Sequence, residues 1–335
     1  MPKAPGSTTV AALLYDGCFA SEAFTLVDLL HIGNHASRRV HPERPVPFDL
    51  QVVGAHKGEI VTATGQSIPV DAPRRSPDVL VVPGFDLLPM EGLVGRLAAR
   101  EAELSMLRHR RRAGGRVASI CVGAFLLGSA GLLDGRRATT AWLFAERLAA
   151  MFPAVSVDAS AVVVEDGGVT TTAAFSAAAD LAQVLLLRHA GSEVARLASR
   201  ITLTAQRRTS QTPFVDRSLL GPAPSTSFAD AVHGWLAEHL DEPFDLGRLA
   251  RDLHVSTRSI LRRFGHEAGT SPLQYLQRLR VERAKRLLES TDLRLYEIAA
   301  QVGYVDQAAF RKVFRAHTAT SPSGYRQRFR DVVTH

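Results

Sequence analysis

Residues 117–128 read VASICVGAFLLG: a short apolar run, then Cys121, then a glycine-containing segment that opens a helix. A cysteine at a turn from strand into helix exposes its sulfur at the sheet edge. Backbone N–H groups and the helix N-terminus there favour the thiolate. Such a sulfur is suited to nucleophilic chemistry if a base or imidazolium lies within ~3 Å. A different chemistry is written near the other end of the chain. Residues 244–264, FDLGRLARDLHVSTRSILRRF, and residues 295–314, LYEIAAQVGYVDQAAFRKVF, share one layout. In the first, Leu246, Leu249, Ala250 and Leu253 make one helix face, Val255 marks the turn, and Ser256 caps the next helix. That helix buries Ile260 and Phe264 and turns Arg258, Arg262 and Arg263 elsewhere. In the second, Ile298, Ala299 and Val302 form the face, Gly303 the turn and Asp306 the cap. Phe310, Val313 and Phe314 pack inward, leaving Gln307, Arg311, Lys312 and Arg315 outside. Arginines at helical spacing on a face that packs against nothing suit base edges and phosphates.

These groups need elements to hold them. In the first 200 residues, short apolar runs at 10–15, 48–53, 79–82 and 117–121 alternate with amphipathic segments at 23–35 and 93–112. Runs of this kind are strands buried on both faces of a parallel sheet, and the alternation predicts an α/β sandwich. Residues 58–70 read as a hairpin on the sheet edge. Residues 161–165 and 169–172, joined by Asp166, Gly167 and Gly168, read as a second hairpin. A helix follows over 176–189. The period then stops: QRRTSQTPFVDRSLLGPAPSTS is rich in Pro, Ser and Thr and reads as a linker. Beyond it the chain is helical, with a long helix over 273–288 between the two helix-turn-helix units. The organisation expected is an α/β domain over 8–205, a linker over 206–226 and a helical domain over 227–331.

Composition bounds the partners. The chain of 335 residues carries 40 Lys+Arg against 33 Asp+Glu, a formal charge of +7, which suits an acidic polymer. Hydrophobic residues make up 46% and charged residues 22%, which excludes a disordered or collagen-like chain. Two cysteines, Cys18 and Cys121, make no disulfide framework and point to a reducing, cytoplasmic setting. The first nine residues show no apolar leader core, and the apolar stretches fall well short of the ~20 residues that span a bilayer, so no membrane partner is expected.

Over residues 227–330 the chain resembles the AraC/XylS family of bacterial transcription regulators. The resemblance rests above all on IAAQVGYVDQAAFRKVFRAHTATSPSGYR, with Gly303, Phe310, Phe314, Pro322 and Tyr325 at the family's spacing. It implies that Thr257, Arg258, Arg262 and Arg263 in the first unit, and Gln307, Ala308, Arg311, Lys312 and Arg315 in the second, face double-stranded promoter DNA. From Gln307 to Arg330 there are six basic residues and no acidic one. The resemblance further implies an activator and RNA polymerase as a partner.

Over roughly residues 8–190, VVPGF at 81–85, the cysteine turn and GLLDGRRATTAW at 131–142 resemble the ThiJ/PfpI-like domains of the class I glutamine amidotransferase-like superfamily, a flavodoxin-like fold. The whole chain resembles the GlxA/AdpA-like regulators. In enzymes of that superfamily the cysteine works with a histidine and often with a glutamate from the first loop. Glu22 matches the glutamate. Ala141 stands where the histidine belongs, Ser119 replaces the leading Gly of the turn, and Phe85 replaces the second Gly of PGG. The resemblance therefore implies a degenerate site that senses a metabolite, its pocket formed by Glu22, Gly84, Phe85, Cys121, Val122, Ala141 and Trp142. A homodimer is expected, and no cofactor or metal. Cys121 as a small buried filler of the turn remains open, as does a pure dimerisation scaffold. The competing reading is a cysteine-dependent hydrolase or glyoxalase-like enzyme with a DNA-binding appendage; a titratable partner beside the thiol decides between them.

Overall fold

The computed structural model describes residues 6–204, 208–216, 219 and 228–330, and the chain divides into two units, Met1–Gln211 and Thr212–His335. The first unit opens with β1 (Thr8–Leu13), α1 (Ala20–Val40), β2 (Phe48–Val53), β3 (Gly58–Val61), β4 (Ser67–Val70) and β5 (Val79–Val82). It continues with α2 (Leu93–Ala98), α3 (Glu101–Arg112), β6 (Arg116–Ser119), α4 (Ala124–Ser129), β7 (Arg137–Ala138) and α5 (Ala145–Met151). It ends with β8 (Ser156–Val157), β9 (Val163–Asp166), β10 (Val169–Thr172), α6 (Ala178–His189) and α7 (Ser192–Ile201). Six strands form one sheet in the order β2-β1-β5-β6-β10-β9. All neighbours are parallel except β10 and β9, the expected second hairpin. Central β5 is apolar throughout because helices cover both faces: every one of its residues is buried.

Two details differ from the sequence reading. The segment 93–112 is two helices, broken at Ala99 and Arg100. The 58–70 hairpin forms its own two-stranded sheet rather than the edge of the main one. The reason lies in its bonds to the loop after β1. Gly17 N–H donates to Val61 O (2.7 Å), Val61 N–H to Asp16 Oδ1 (2.8 Å), and Ala63 N–H to Cys18 O (2.9 Å). The hairpin is thereby fastened over the carboxyl ends of the strands.

The second unit is helical: α8 (Phe228–Glu238), α9 (Leu246–Asp252), α10 (Thr257–Ala268), α11 (Pro272–Ser290), α12 (Leu295–Gln301), α13 (Gln307–Thr318) and α14 (Pro322–Arg330). Its own core includes Val232, Leu236, Leu249, Ile260, Phe264, Leu276, Ile298, Phe310 and Phe314. Ser256 and Asp306 cap the second helices as expected, Ser256 accepting from Ser259 N–H (3.1 Å) and Asp306 from the N–H groups of Ala308 (2.8 Å) and Ala309 (3.1 Å). The left-handed residue of the first turn is His254 (φ 54°), not Val255; that of the second is Gly303 (φ 77°). Glycine is required at 303 for a second reason. A Cβ there would lie 2.6 Å from Arg280 Nη2 and 2.8 Å from Leu240 O.

Residues 208–216, inside the stretch read as a linker, are held by their own units. Arg208 bonds Asp180 and Ser176 in the first unit. In the second, Phe214 packs edge-on to Phe329 at 5.2 Å and Lys285 Nζ donates to Val215 O.

Arg280 is 6% exposed on α11; its Nε donates to Leu240 O (2.8 Å) and its Nη2 to Glu242 O (2.5 Å), while the guanidinium lies 5.1 Å from the Tyr304 ring centroid. Replacing it leaves two carbonyls without their donors, at about 1–3 kcal/mol each. Arg280→Met should therefore lower the unfolding free energy of the second unit by roughly 2–5 kcal/mol in urea titrations followed by circular dichroism. A midpoint unchanged from wild type would remove Arg280 from this role.

Candidate functional site

The sequence predicts two sites, and each lies within one unit. On α10, Thr257, Arg258 and Arg262 are exposed, beside an exposed Leu261. Arg263 is exposed too, and its guanidinium carbon sits 4.0 Å from the centre of the Phe228 ring on α8. On α13, Ala308, Arg311, Lys312 and Arg315 are exposed and Gln307 is half-buried. Arg311 Nη2 reaches Gln307 Oε1 at 3.5 Å, one turn back along the helix. Val305, just before the cap, is 102% exposed. Sequence reasoning passed over it; the signal was an apolar residue in an otherwise polar turn.

The elbow of the first unit is built as the sequence suggests. Cys121 takes φ 54°, a left-handed conformation that costs a non-glycine residue about 1–3 kcal/mol. Its N–H donates to Ala173 O (2.9 Å), and the preceding Ile120 N–H to Val82 O (3.0 Å). The crowding is severe. A Cβ on Gly123 would fall 2.7 Å from Val82 O, and one on Gly84 would lie 3.2 Å from Cys121 Cβ and 3.3 Å from both oxygens of Glu22. Glu22, fully buried, accepts from Gly84 N–H through Oε2 (2.7 Å), while its Oε1 is buried without a hydrogen-bond partner. Glu22, Gly84 and Cys121 thus meet, with Val122 buried next to them.

The electrostatics oppose a thiolate. Burial and then the Glu22 carboxyl push the Cys121 thiol up to about 12, although the N–H groups of Val122 and Phe175 point at the sulfur and favour the anion. Burial likewise raises Glu22 to about 7, against the hydrogen bond from Gly84 N–H. Cys18 is also buried and free, its thiol raised chiefly by burial.

At the expected histidine position Ala141 is buried, and the polar group beside it comes from elsewhere. Gln211, 3% exposed, accepts from Trp142 N–H through Oε1 (3.0 Å), and its Nε2 donates to the carbonyls of Thr140 (2.9 Å) and Ala161 (3.2 Å). Thr140 Oγ1 in turn donates to Cys121 O (2.9 Å). Gln211 was invisible in the sequence, where it is one polar residue in an aperiodic stretch. An amide supplies no proton at neutral pH, so the titratable group beside the Cys121 thiol is Glu22 and not a residue at 141.

Two expectations follow. Native protein at pH 8 should react with Ellman's reagent far more slowly than the same protein in guanidinium, both thiols appearing only on unfolding; rapid labelling of Cys121 in the native state contradicts the raised thiol. The second concerns pH. Glu22 binds its proton more tightly folded than unfolded, so its cost is absent below about pH 4.5 and grows as pH rises toward 7. Glu22→Gln should thus gain on wild type by roughly 2–3 kcal/mol between pH 4.5 and 7.5. Parallel stability curves for the two proteins would show that Glu22 is ionised without penalty.

Comparison with known proteins agrees with this division. Residues 8–188 match the model of the DJ-1/PfpI family, and residues 249–328 that of a helix-turn-helix domain. The chain is 29% identical over 280 residues to the HTH-type transcriptional regulator CdhR of Pseudomonas aeruginosa, covering 81% of this chain and 80% of that one. It is 30% identical over 254 residues to the regulator GbdR of the same species, covering 73% and 67%. It is 29% identical over 231 residues to the regulator GlxA of Rhizobium meliloti, covering 69% and 71%.

Proposed function

Because the chain belongs to the DJ-1/PfpI family and is a DNA-binding transcription regulator with an AraC-type domain, we propose that its α/β unit has exchanged catalysis for sensing and self-association. The observation that carries the DNA half is the pair of capped helices, α10 and α13, with Arg258, Arg262, Arg311, Lys312 and Arg315 exposed, joined through the 19-residue α11. Two reading helices on one stiff connector address two major-groove segments about 10 base pairs apart on one face of the duplex. Arg262 and Arg311 are the base-reading candidates, Lys312 and Arg315 suit phosphates, and Arg263 serves the fold.

The sensing half is supported by what the elbow lacks. Cys121 is buried in a strained turn beside a protonatable Glu22, and Ala141 brings no imidazole to it. Self-association is supported by Phe24 and Phe175, large rings left 36% and 48% exposed on the first unit. A homodimer raises the effective concentration of the second reading module at paired sites and so its avidity. Activation, with polymerase as a partner, completes the reading.

Anisotropy titrations of the full chain on promoter fragments test it. Arg262→Ala and Arg311→Ala should each cost about 1–3 kcal/mol on the preferred fragment and relax specificity at one or two base pairs. Arg263→Ala should instead lower stability and leave the preference alone. Affinity should fall about 10³-fold between 50 and 200 mM salt. Equal binding to random DNA, or a monomer by light scattering at tens of micromolar, would defeat the respective halves. Turnover of amides or methylglyoxal above a Cys121→Ala control would restore the enzyme reading.

A further inference from the structure

Where the β3–β4 hairpin folds over the loop after β1, the first unit holds a cavity of about 430 Å³, a volume within the range of small-molecule sites, roughly 300–1,000 Å³. Of the elbow residues only Phe85 lines it; Tyr15, Leu97 and Leu126 supply other apolar wall. Two guanidinium groups are set into that wall. Arg96 donates from Nη1 to Asp86 O (2.9 Å) and from Nη2 to the carbonyls of Leu87 (2.6 Å) and Pro89 (2.5 Å). Its Nε is buried and meets no acceptor. Arg100 donates from Nη2 to Asp16 O and lies over the Tyr15 ring, 5.2 Å from the centroid.

Main-chain carbonyls orient these groups without cancelling their charge. The two carboxylates that border the cavity, Asp16 and Asp86, are exposed, and each has an oxygen engaged by a main-chain N–H, from Val61 (2.8 Å) and Leu88 (3.0 Å). Water screens an exposed carboxylate far better than a half-buried guanidinium against Tyr15 and Leu97. The interior therefore keeps positive charge inside an apolar shell.

We propose that this cavity, not the cysteine elbow, is the effector site, and that it takes a small organic carboxylate with a short apolar or aromatic body. The proposal rests on reading the first unit as a sensor. The carboxylate would face Arg96 and Arg100, whose planar donors suit two oxygens at once, and its body would lie along Tyr15, Phe85 and Leu126.

Thermal-shift and calorimetric titrations of the full chain with hexanoate and benzoate test this, with hexanamide, benzamide and inorganic phosphate as comparators. The acids should raise the melting temperature dose-dependently and bind at least tenfold tighter than the amides. Arg100→Leu should weaken them at least tenfold. Ala63→Phe, which fills the cavity and spares both arginines, should abolish binding, and Cys121→Ser should leave it unchanged. Three results would overturn the site: no shift with either acid at 10 mM, amides or phosphate binding as well as the acids, or full binding by folded Ala63→Phe. Promoter titrations of the same preparations keep the two ideas apart. DNA binding without acid binding sinks only the cavity, whereas loss of all sequence preference sinks the regulator reading.

Discussion

The geometry of the DNA-binding unit hangs on one buried cation. Arg280 sits mid-way along α11, and its donors reach the carbonyls of Leu240 and Glu242, ahead of the first helix-turn-helix, while its face covers Tyr304 in the turn of the second. A buried charge is tolerated only where its hydrogen bonds are met and geometry is good. Burial does lower its basicity, with Tyr304 and Asp241 working the other way. Gly303 belongs to the same arrangement, since any Cβ there would collide with Arg280. The two reading helices are consequently fixed to one connector by bonds at both ends, which is what a protein must do to present two faces in register with a rigid duplex.

The first unit shows the opposite relation between geometry and chemistry. All the backbone strain of a nucleophile's elbow is retained: a left-handed cysteine, two glycines with no room for a methyl, and N–H groups aimed at sulfur. Desolvation, and after it the Glu22 carboxyl, outweigh those N–H groups and push the thiol up. Strain of this kind persists where the surroundings over-determine it. Here the close approach of Val82, Pro83 and Glu22 does so, independently of catalysis.

Most of this architecture was legible because it is written in periods and caps. The all-apolar β5, the alternation of strand and helix, and the caps Ser256 and Asp306 are local signals, and they carried the fold and the capped helices α10 and α13. What escaped were contacts made across long separations by single polar residues. Arg263 reads as a DNA contact by its spacing, but the ring of Phe228 lies over it. The hairpin at 58–70 reads as an edge strand by its alternation, but hydrogen bonds from the loop after β1 draw it off the sheet. Gln211 has no neighbours in sequence that hint at burial, and its partners lie 50 to 72 residues away.

Gln211 also explains why the loss of the histidine is more than a deletion. Truncating a ring to the methyl of Ala141 inside a packed unit would leave a void and the Trp142 N–H without an acceptor, both costly. The Gln211 amide accepts from that N–H and donates to the carbonyls of Thr140 and Ala161. It is anchored by its own backbone, whose N–H donates to Ser160 O at 2.8 Å, and Arg208 holds the same segment to Asp180. An imidazole restored at 141 would compete with this amide for the same space and partners. A ring at 141 would therefore require displacing Gln211 and its segment 208–211 as well, so the small residue at 141 and the seated strap fit one another.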